Sequence, residues 1–164
     1  MTEQNEKDIK YMRRAIELAR MAMDRGDVPV GAVAVWEDDE KRGIVSEIVG
    51  EGYNRREADK NALLHAELIA INNACEALGG WRLHKCTLYV TLEPCTMCAG
   101  AINSSRIKRV VYGAGDKKLG ALGGKYDLYK EDLCHKTEVT GGVLENECSE
   151  LLLEFFKRLR GGKI

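Results

Sequence analysis

Apolar residues along this chain alternate between helical spacing and short continuous runs. In residues 6–25 they recur every three or four positions, with Ile9, Met12 and Ile16 on one face. This spacing predicts an amphipathic helix. Gly26 interrupts the pattern and predicts the end of that helix.

Two runs rich in valine and isoleucine follow and predict the first two strands. Residues 28–36 form the first run, with Pro29 near its start, where a strand tolerates proline. Residues 44–52 form the second run. The charged segment 37–43 between them predicts a hairpin with a long, acidic connection.

The rest of the chain continues the same alternation. Residues 62–78 have helical apolar spacing and predict a second helix, which the glycines at 79 and 80 would end. Residues 145–160 are amphipathic and predict the last helix. The other predicted elements are a strand over 87–92, a helix after Cys95, a strand over 108–113, a loop or short helix over 116–129 and an edge strand over 139–143.

This order of elements predicts an α/β fold. Strands that alternate with helices in this way are typical of a three-layer α/β/α sandwich around a mixed five-stranded sheet. The length of 164 residues is enough for one domain with a full core, which we expect to span residues 1–164. We find no internal repeat and no linker in the sequence.

Composition narrows the class of protein further. Apolar residues make up 45% and charged residues 31% of the chain, as in ordinary globular proteins. No apolar run reaches the roughly 18 residues of a membrane-spanning helix, and the first ten residues are too polar for a signal peptide. We therefore predict a cytoplasmic protein with no membrane partner and with mostly reduced cysteines. Four of the six cysteines are predicted to be packing residues, namely Cys75, Cys86, Cys134 and Cys148.

Charge is divided unevenly along the chain. Residues 1–82 carry 12 basic and 16 acidic side chains, whereas residues 83–164 carry 13 basic and 10 acidic ones. The C-terminal half is therefore compatible with a polyanionic partner such as a nucleic acid. Charge alone does not establish that partner, because ordinary solvated surfaces give the same balance.

The strongest chemical signal is the pair Cys95 and Cys98 after the predicted strand 87–92. Pro94 fits the start of a helix, so both thiols are expected in its first turn, where the helix dipole favours thiolates. A C-x-x-C pair serves either redox chemistry or metal binding. The histidine His65, thirty residues earlier and near the start of another predicted helix, favours metal binding.

Three ligands of this kind predict a catalytic zinc site. Helix starts that follow strands tend to gather at one edge of a sheet, which would bring His65, Cys95 and Cys98 around one ion. Zinc takes imidazole and thiolate ligands, and three of them leave the fourth tetrahedral position to water, whose pKa zinc lowers. Glu67, two residues after the histidine, could transfer that water's proton. A structural site would need a fourth ligand, which no other histidine or cysteine supplies at ligand spacing.

The pattern H-x-E…P-C-x-x-C, made here by residues 65–67 and 94–98, is similar to that of the zinc-dependent nucleobase deaminases. The flanking segments extend the similarity over nearly the whole chain, which resembles the bacterial tRNA-adenosine deaminase family. These segments are residues 28–33, 52–54, 88–102, 105–114, 116–121 and 142–148.

The resemblance implies a cytidine deaminase-like fold and hydrolytic deamination of adenosine to inosine at the wobble position of a tRNA anticodon. It implies Zn²⁺ held by His65, Cys95 and Cys98, with Glu67 as the proton shuttle. It also implies a homodimer that binds the tRNA anticodon stem-loop. The residues implied for substrate binding are Asn54, Ala66 through its N–H, Val28 and Pro94, and those implied for RNA contact are Asp116, Lys118, Lys157 and Arg160.

Two alternatives stay open from the sequence. One is a deaminase of a free base or nucleoside (guanine, cytosine or adenine), which would share the same zinc site. The other is a non-enzymatic binding module that zinc only stabilises. The basic residues of the predicted C-terminal helix favour the tRNA interpretation, because a free base offers them no phosphates to contact.

Overall fold

The structure, a computed structural model, describes residues 1–38 and 45–164. In these residues the helices and strands follow one another in the predicted order. The helices are α1 (Glu3–Asp24), α2 (Ala66–Leu78), α3 (Thr96–Ser104) and α4 (Glu145–Arg160), and a 3-10 turn spans Leu128–Lys130. The strands are β1 (Gly31–Asp38), β2 (Val45–Tyr53), β3 (Cys86–Leu92), β4 (Arg109–Ala114) and β5 (Glu138–Thr140).

The strands form one mixed sheet in the order β2-β1-β3-β4-β5. β1 lies antiparallel to both β2 and β3, whereas β4 and β5 run parallel to β3. Parallel neighbours need a crossover connection, and α3 supplies the one between β3 and β4. The prediction of a mixed five-stranded sheet is confirmed.

Helices cover both faces of this sheet. Successive side chains of a strand point to opposite faces, so Leu88 and Val90 of β3 pack with α2 and α3, while Tyr89 packs with α1 and α4. All three side chains are fully buried. A strand covered on both faces needs apolar side chains on both, which explains why Leu88, Tyr89 and Val90 follow one another without alternating polar residues. The three-layer α/β/α sandwich is therefore confirmed.

Two glycines of β2 bring α2 unusually close to the sheet. A Cβ atom at Gly50 would overlap the carbonyl oxygen of Ala70, and one at Gly52 would overlap that of Ala66. Both overlaps involve helix backbone, which cannot move aside as a flexible side chain could. The missing side chains therefore fix the height of α2 over the sheet and, with it, the place of its N-terminal end.

Two predicted boundaries at the start of the chain differ from the structure. The first helix begins at Glu3 rather than at residue 6, because the side chain of Thr2 caps it by accepting a hydrogen bond from the Asn5 N–H. The first strand begins at Gly31 rather than at residue 28. The N–H of Val30 donates to the carbonyl of Val28 at 2.8 Å, so these residues form a turn.

The connection predicted over residues 37–43 is described only in part. Residues 37 and 38 continue β1 and pair with β2, and residues 39–44 lie outside the described residues. β5 is shorter than the predicted strand 139–143, and residues 116–127 form turns and isolated bridges before the 3-10 turn. The last helix has the predicted bounds.

The described helices include none that is long and apolar enough to cross a membrane. All six cysteines lie within the described ranges, and all are free thiols. Cys86 and Cys148 are buried and Cys75 is half-buried, as expected of packing residues. Cys134 is exposed, so the prediction that it packs in the core is wrong: it lies in the irregular segment before β5.

One ion pair joins α1 to the centre of the sheet. The guanidinium of Arg109, at the start of β4, donates to both carboxylate oxygens of Asp8 at 2.8 Å, and the Tyr89 hydroxyl donates at 3.0 Å. The Asp8 side chain is almost entirely buried. Burial is the largest single effect and raises the pKa of the Asp8 carboxyl. The hydrogen bonds from Arg109, Gln4 and Tyr89, together with the Arg109 charge, outweigh burial and bring the pKa below the usual value of 3.8.

We expect Asp8→Asn to lower the free energy of unfolding. The change leaves the largely buried Arg109 guanidinium without its counter-charge, at a cost of about 3–5 kcal/mol at neutral pH. The folded-state pKa of Asp8 lies below the unfolded-state value. The stabilisation of the wild-type protein by ionised Asp8 is therefore fully present above about pH 4 and is lost as the pH falls through the folded-state pKa. Urea denaturation of both proteins at pH 7 and at pH 3 measures the difference.

The matched control is Glu17→Gln. Glu17 pairs with Arg14 at 2.7 Å, but this pair is solvent-exposed and contributes about 0.5 kcal/mol or less. Equal losses for Asp8→Asn and Glu17→Gln, or a difference from wild type that does not shrink at low pH, would contradict the role given to the buried pair.

Candidate active site

The N-terminal ends of α2 and α3 meet at one edge of the sheet. His65 directly precedes α2 and has an extended backbone, with φ −78° and ψ 149°. Cys95 precedes α3 in the same way, and Cys98 is the third residue of that helix. The three side chains therefore project from two adjoining helix starts toward one point.

The second helix begins four residues later than its apolar spacing predicts. The side chain of Asn61 accepts a hydrogen bond from the Leu63 N–H, and the His65 N–H donates to the Leu63 carbonyl, so residues 61–65 form turns. The first N–H of α2, that of Ala66, donates to Oδ1 of Asn54 at 2.9 Å. Asn54 thus caps the helix from the end of β2 and leaves the histidine outside the helix.

The three predicted ligands form one compact cluster. The Nδ1 atom of His65 lies 3.7 Å from Sγ of Cys95 and 3.6 Å from Sγ of Cys98. All the ligand atoms lie within 4.8 Å of one another. A tetrahedral zinc ion with Zn–S bonds of about 2.3 Å and a Zn–N bond of about 2.0–2.1 Å would separate nitrogen from sulfur by about 3.5 Å. The donor set and its spacing therefore fit zinc.

The charges of the cluster also call for a cation. A hydrogen bond from the Cys98 thiol, together with His65, lowers the pKa of Cys95 to about 4 against the opposing effect of burial. The same hydrogen bond, together with burial, raises the pKa of Cys98. Without a metal ion, Cys98 therefore keeps its proton and shares it with the Cys95 thiolate. Both sulfurs become thiolates only where a metal ion replaces that proton.

Glu67 lies beside the cluster on the second residue of α2. Its side chain is only 4% exposed, and burial raises the pKa of its carboxyl to about 7. Its own backbone N–H and the neighbouring His65 lower that pKa, but burial outweighs them. A carboxyl group that is neither fully ionised nor fully protonated near neutral pH suits proton transfer.

A cavity of about 650 Å³ opens above the cluster. His65, Glu67 and Cys95 face it from the cluster. Its size lies within the usual range of small-molecule sites. Basic side chains of two loops, at positions 56, 117 and 118, share its lining with an apolar group at positions 119, 153 and 156.

Comparison with known proteins identifies the family. Residues 5–114 match the model of the cytidine and deoxycytidylate deaminase zinc-binding region. The tRNA-specific adenosine deaminase of Bacillus subtilis is 46% identical over 157 residues, which cover 95% of this chain and 92% of that protein. That of Haemophilus influenzae is 48% identical over 160 residues, covering 97% and 88%. The chain belongs to the tRNA-specific adenosine deaminase family.

Solved deaminase structures agree with this assignment. A structure from studies of A-to-I editing by tRNA:A34 deaminases at the wobble position of transfer RNA has a TM-score of 0.78 and 40% identity, covering 87% of this chain and 99% of that one. Guanine deaminase from Bacillus subtilis has a TM-score of 0.57 and 35% identity, covering 80% and 76%. The prediction of a cytidine deaminase-like fold is therefore confirmed.

The structure brings some of the residues implied for substrate binding to the deaminase pocket and not others. Asn54 and Val28 line the cavity. Ala66 is fully buried, and its N–H already donates to Asn54 rather than pointing at a substrate. Pro94 is buried under the loop after β4, and its carbonyl accepts a hydrogen bond from the Ala121 N–H. Ala66 and Pro94 therefore lie behind the residues that line the cavity and do not line it themselves.

The residues implied for RNA contact divide into two groups. Asp116 and Lys118 lie at the cavity, where Oδ1 of Asp116 accepts hydrogen bonds from the N–H groups of Lys118 and Leu119. Lys157 and Arg160 lie exposed in the last turn of α4, outside the cavity lining. The second pair could contact RNA only beyond the pocket.

Sequence reasoning missed two buried carboxylates and one arginine at this deaminase site. Asp27 and Glu93 both line the cavity and are 1% and 3% exposed, and Arg56 is a further lining residue. Both carboxylates accept hydrogen bonds from loop backbone N–H groups. A sequence shows that an acidic residue is present but not that it is buried, although the position of Glu93 directly before Pro94 was a usable signal.

We expect Cys95→Ser to lose bound zinc. A serine hydroxyl is a far poorer zinc ligand than a thiolate, so the metal content should fall well below one ion per chain. Elemental analysis by plasma mass spectrometry after dialysis measures the ratio. Cys134→Ser removes an exposed thiol away from the cluster and should keep the wild-type content. Zinc retained in Cys95→Ser would rule out this cysteine as a ligand.

Proposed function

We propose that this protein is a zinc-dependent tRNA adenosine deaminase that converts adenosine to inosine at the wobble position of an anticodon. The observation that carries the proposal is the three-ligand cluster with Glu67 beside it, at the base of a pocket with basic residues in its lining. Similarity to tRNA-specific adenosine deaminases along 95–97% of the chain supports the choice of substrate.

His65, Cys95 and Cys98 would hold the zinc ion, with the imidazole Nδ1 and the two sulfurs as ligand atoms. When bound, zinc supplies Lewis acidity and lowers the pKa of water from 15.7 to about 7. Three protein ligands, rather than four, are typical of catalytic zinc sites.

Glu67 would move the protons of the reaction. Its carboxylate accepts a proton from the attacking water and delivers it to N1 of adenine while the water oxygen bonds to C6. The carboxylate then takes the remaining proton from the new C6 hydroxyl and delivers it to the amino group at C6. The C6–N bond breaks, the C6–O bond becomes a carbonyl, and ammonia leaves. One water is consumed, and the products are inosine and ammonia. Burial of Glu67 keeps bulk water from competing for these protons.

Asn54 would orient the base through its amide NH₂ group. Its carbonyl oxygen already uses one lone pair to accept the Ala66 N–H, so the two N–H donors are the larger part of what the amide can still offer a ligand. Adenine offers ring nitrogens as acceptors, which match those donors. The same hydrogen bond holds the amide in place before the substrate arrives.

The rest of the pocket suits a nucleotide within an RNA. Arg56 follows β2, while Lys117 and Lys118 follow β4, and all three line the cavity and could contact phosphates. Phe156 of α4, which is 42% exposed, offers an aromatic surface for a base. Asp116 could accept a hydrogen bond from a ribose hydroxyl. The target must be unstacked, as bases of an anticodon loop readily are.

Three predictions from the sequence belong to this proposal. We expect one domain over residues 1–164, a cytoplasmic location and a homodimer that binds the anticodon stem-loop. Leu63, 59% exposed just before the metal ligand His65, supports an interface near the site. Light scattering should give about twice the chain mass of 18.3 kDa, and the single-chain mass would contradict the homodimer.

The deciding experiment uses an anticodon stem-loop RNA with adenosine at the wobble position. Zinc-loaded wild type should produce inosine, detected by sequencing because inosine is copied as guanosine. Glu67→Gln should keep its zinc but lower kcat by about 10²–10⁴-fold, since the amide cannot carry a proton. Elemental analysis of the same samples reports the zinc.

The control is Glu76→Gln, an exposed glutamate on the same helix, which should retain full turnover. Deamination of free guanine, cytosine or adenine without inosine in the RNA would favour the free-base deaminase over the proposed function. Unchanged turnover in Glu67→Gln would remove this residue from the mechanism. No turnover on any of these substrates would favour the zinc-stabilised binding module.

A further inference from the structure

Glu93 is a buried carboxylate without an ion-pair partner among the described lysines and arginines. It lies directly after β3, two residues before the metal ligand Cys95, and its side chain borders the cavity. Instead of a cation it binds backbone amides. Its carboxylate accepts hydrogen bonds from the N–H groups of Asp116 at 3.3 Å, Leu122 at 3.1 Å and Gly124 at 2.9 Å.

The loop that supplies these amides is folded tightly around the carboxylate. A Cβ atom at Gly120 would overlap Oε2 of Glu93, and one at Gly124 would lie 2.7 Å from both carboxylate oxygens. Both positions would also press against the Asp116 carbonyl. Glycine is therefore the residue that allows the chain to pass this close to Glu93 at both positions.

The same loop is attached to the metal-binding segment at two further points. The Ala121 N–H donates to the Pro94 carbonyl at 2.8 Å, and Gly120 forms an antiparallel bridge with Cys95. Between Asp116 and Gly120 the loop carries Lys117 and Lys118 to the lining of the cavity. The contacts thus connect a metal-binding segment to the basic side chains beside it.

From these contacts we propose that Glu93 is a positioning residue, which holds the loop of residues 116–124 so that Lys117 and Lys118 meet the phosphates next to the target nucleotide. The choice of RNA phosphates as ligands rests on the proposed function. Glu93 itself touches neither the reacting atoms nor the phosphates. It acts through the backbone it holds, so its loss should weaken substrate binding rather than the bond-breaking step.

Glu93→Gln tests this first without any substrate. The amide keeps the size of the side chain but replaces one acceptor oxygen by a donor, which opposes the N–H groups it faces. Hydrogen exchange at the amides of 116, 122 and 124 should become faster by about tenfold or more, while amides of β1 and β3 keep their protection. Glu93→Asp keeps the charge on a shorter side chain and should give a smaller increase.

Kinetics on the stem-loop RNA test the consequence for binding. In Glu93→Gln we expect KM to rise about tenfold while kcat and zinc content stay within about twofold of wild type. The logarithm of kcat/KM should depend less steeply on the logarithm of salt concentration. The slope should fall by about 1.4, because each of two single-strand phosphate contacts contributes about 0.7.

A double-mutant comparison separates positioning from general destabilisation. The variant Lys117→Ala/Lys118→Ala should raise KM on its own, and adding Glu93→Gln should raise it little further, because the residue acts through those lysines. Asp8→Asn is the matched control: it removes another buried carboxylate, in the α1 layer, and should leave KM and the salt slope unchanged.

Additive effects of Glu93→Gln and the lysine changes, an unchanged salt slope, or a loss confined to kcat or zinc would overturn the inference. Unchanged amide exchange at 116, 122 and 124 would overturn it even before kinetics. If wild type produces no inosine in RNA, the proposed function fails. The exchange experiment then still decides whether Glu93 holds the loop.

Discussion

The close packing of α2 on β2 is the constraint on which the site depends. Glycine at positions 50 and 52 lets the helix backbone lie directly on the strand, and Asn54 then fixes the first turn of the helix from the end of the same strand. This places His65 opposite the start of α3, where its imidazole lies within 3.7 Å of both sulfurs. A larger side chain in either glycine position would raise the helix and separate the imidazole from the two sulfurs.

Negative charge gathers at this end of the molecule and is balanced in two different ways. The sulfurs of Cys95 and Cys98 form with His65 a cluster that fits a dication, and Glu67 lines the same cavity. Asp27 and Glu93, which also line the cavity, are balanced by backbone N–H groups instead. The charges of the metal cluster are thus balanced by an ion that can dissociate, whereas the two carboxylates of the cavity wall are balanced by the fixed dipoles of backbone N–H groups.

The sequence was most informative where the signal was local. Apolar spacing and continuous runs located every helix and strand of the sandwich, and the spacing of His65, Cys95 and Cys98 identified the metal cluster. It was least informative where a hydrogen bond joins distant residues. The true start of α2 depends on turns at Asn61 and on Asn54, and the burial of Glu93 depends on amides more than twenty residues away. Neither the spacing of apolar residues nor the preference of a residue for helix or strand contains that information.

The way the loop after β4 is held has a consequence for how substrate preference could change. Glu93 and the Pro94 carbonyl accept hydrogen bonds from the backbone of this loop. The side chains at 117, 118 and 119 take no part in these hydrogen bonds. Substitutions at these three positions could alter the charge and shape of the entrance while the metal cluster keeps its geometry. The fold that holds the metal cluster and the side chains at the cavity entrance can therefore change independently. Relatives or engineered variants could acquire new substrates through exchange of residues 117–119 without loss of stability.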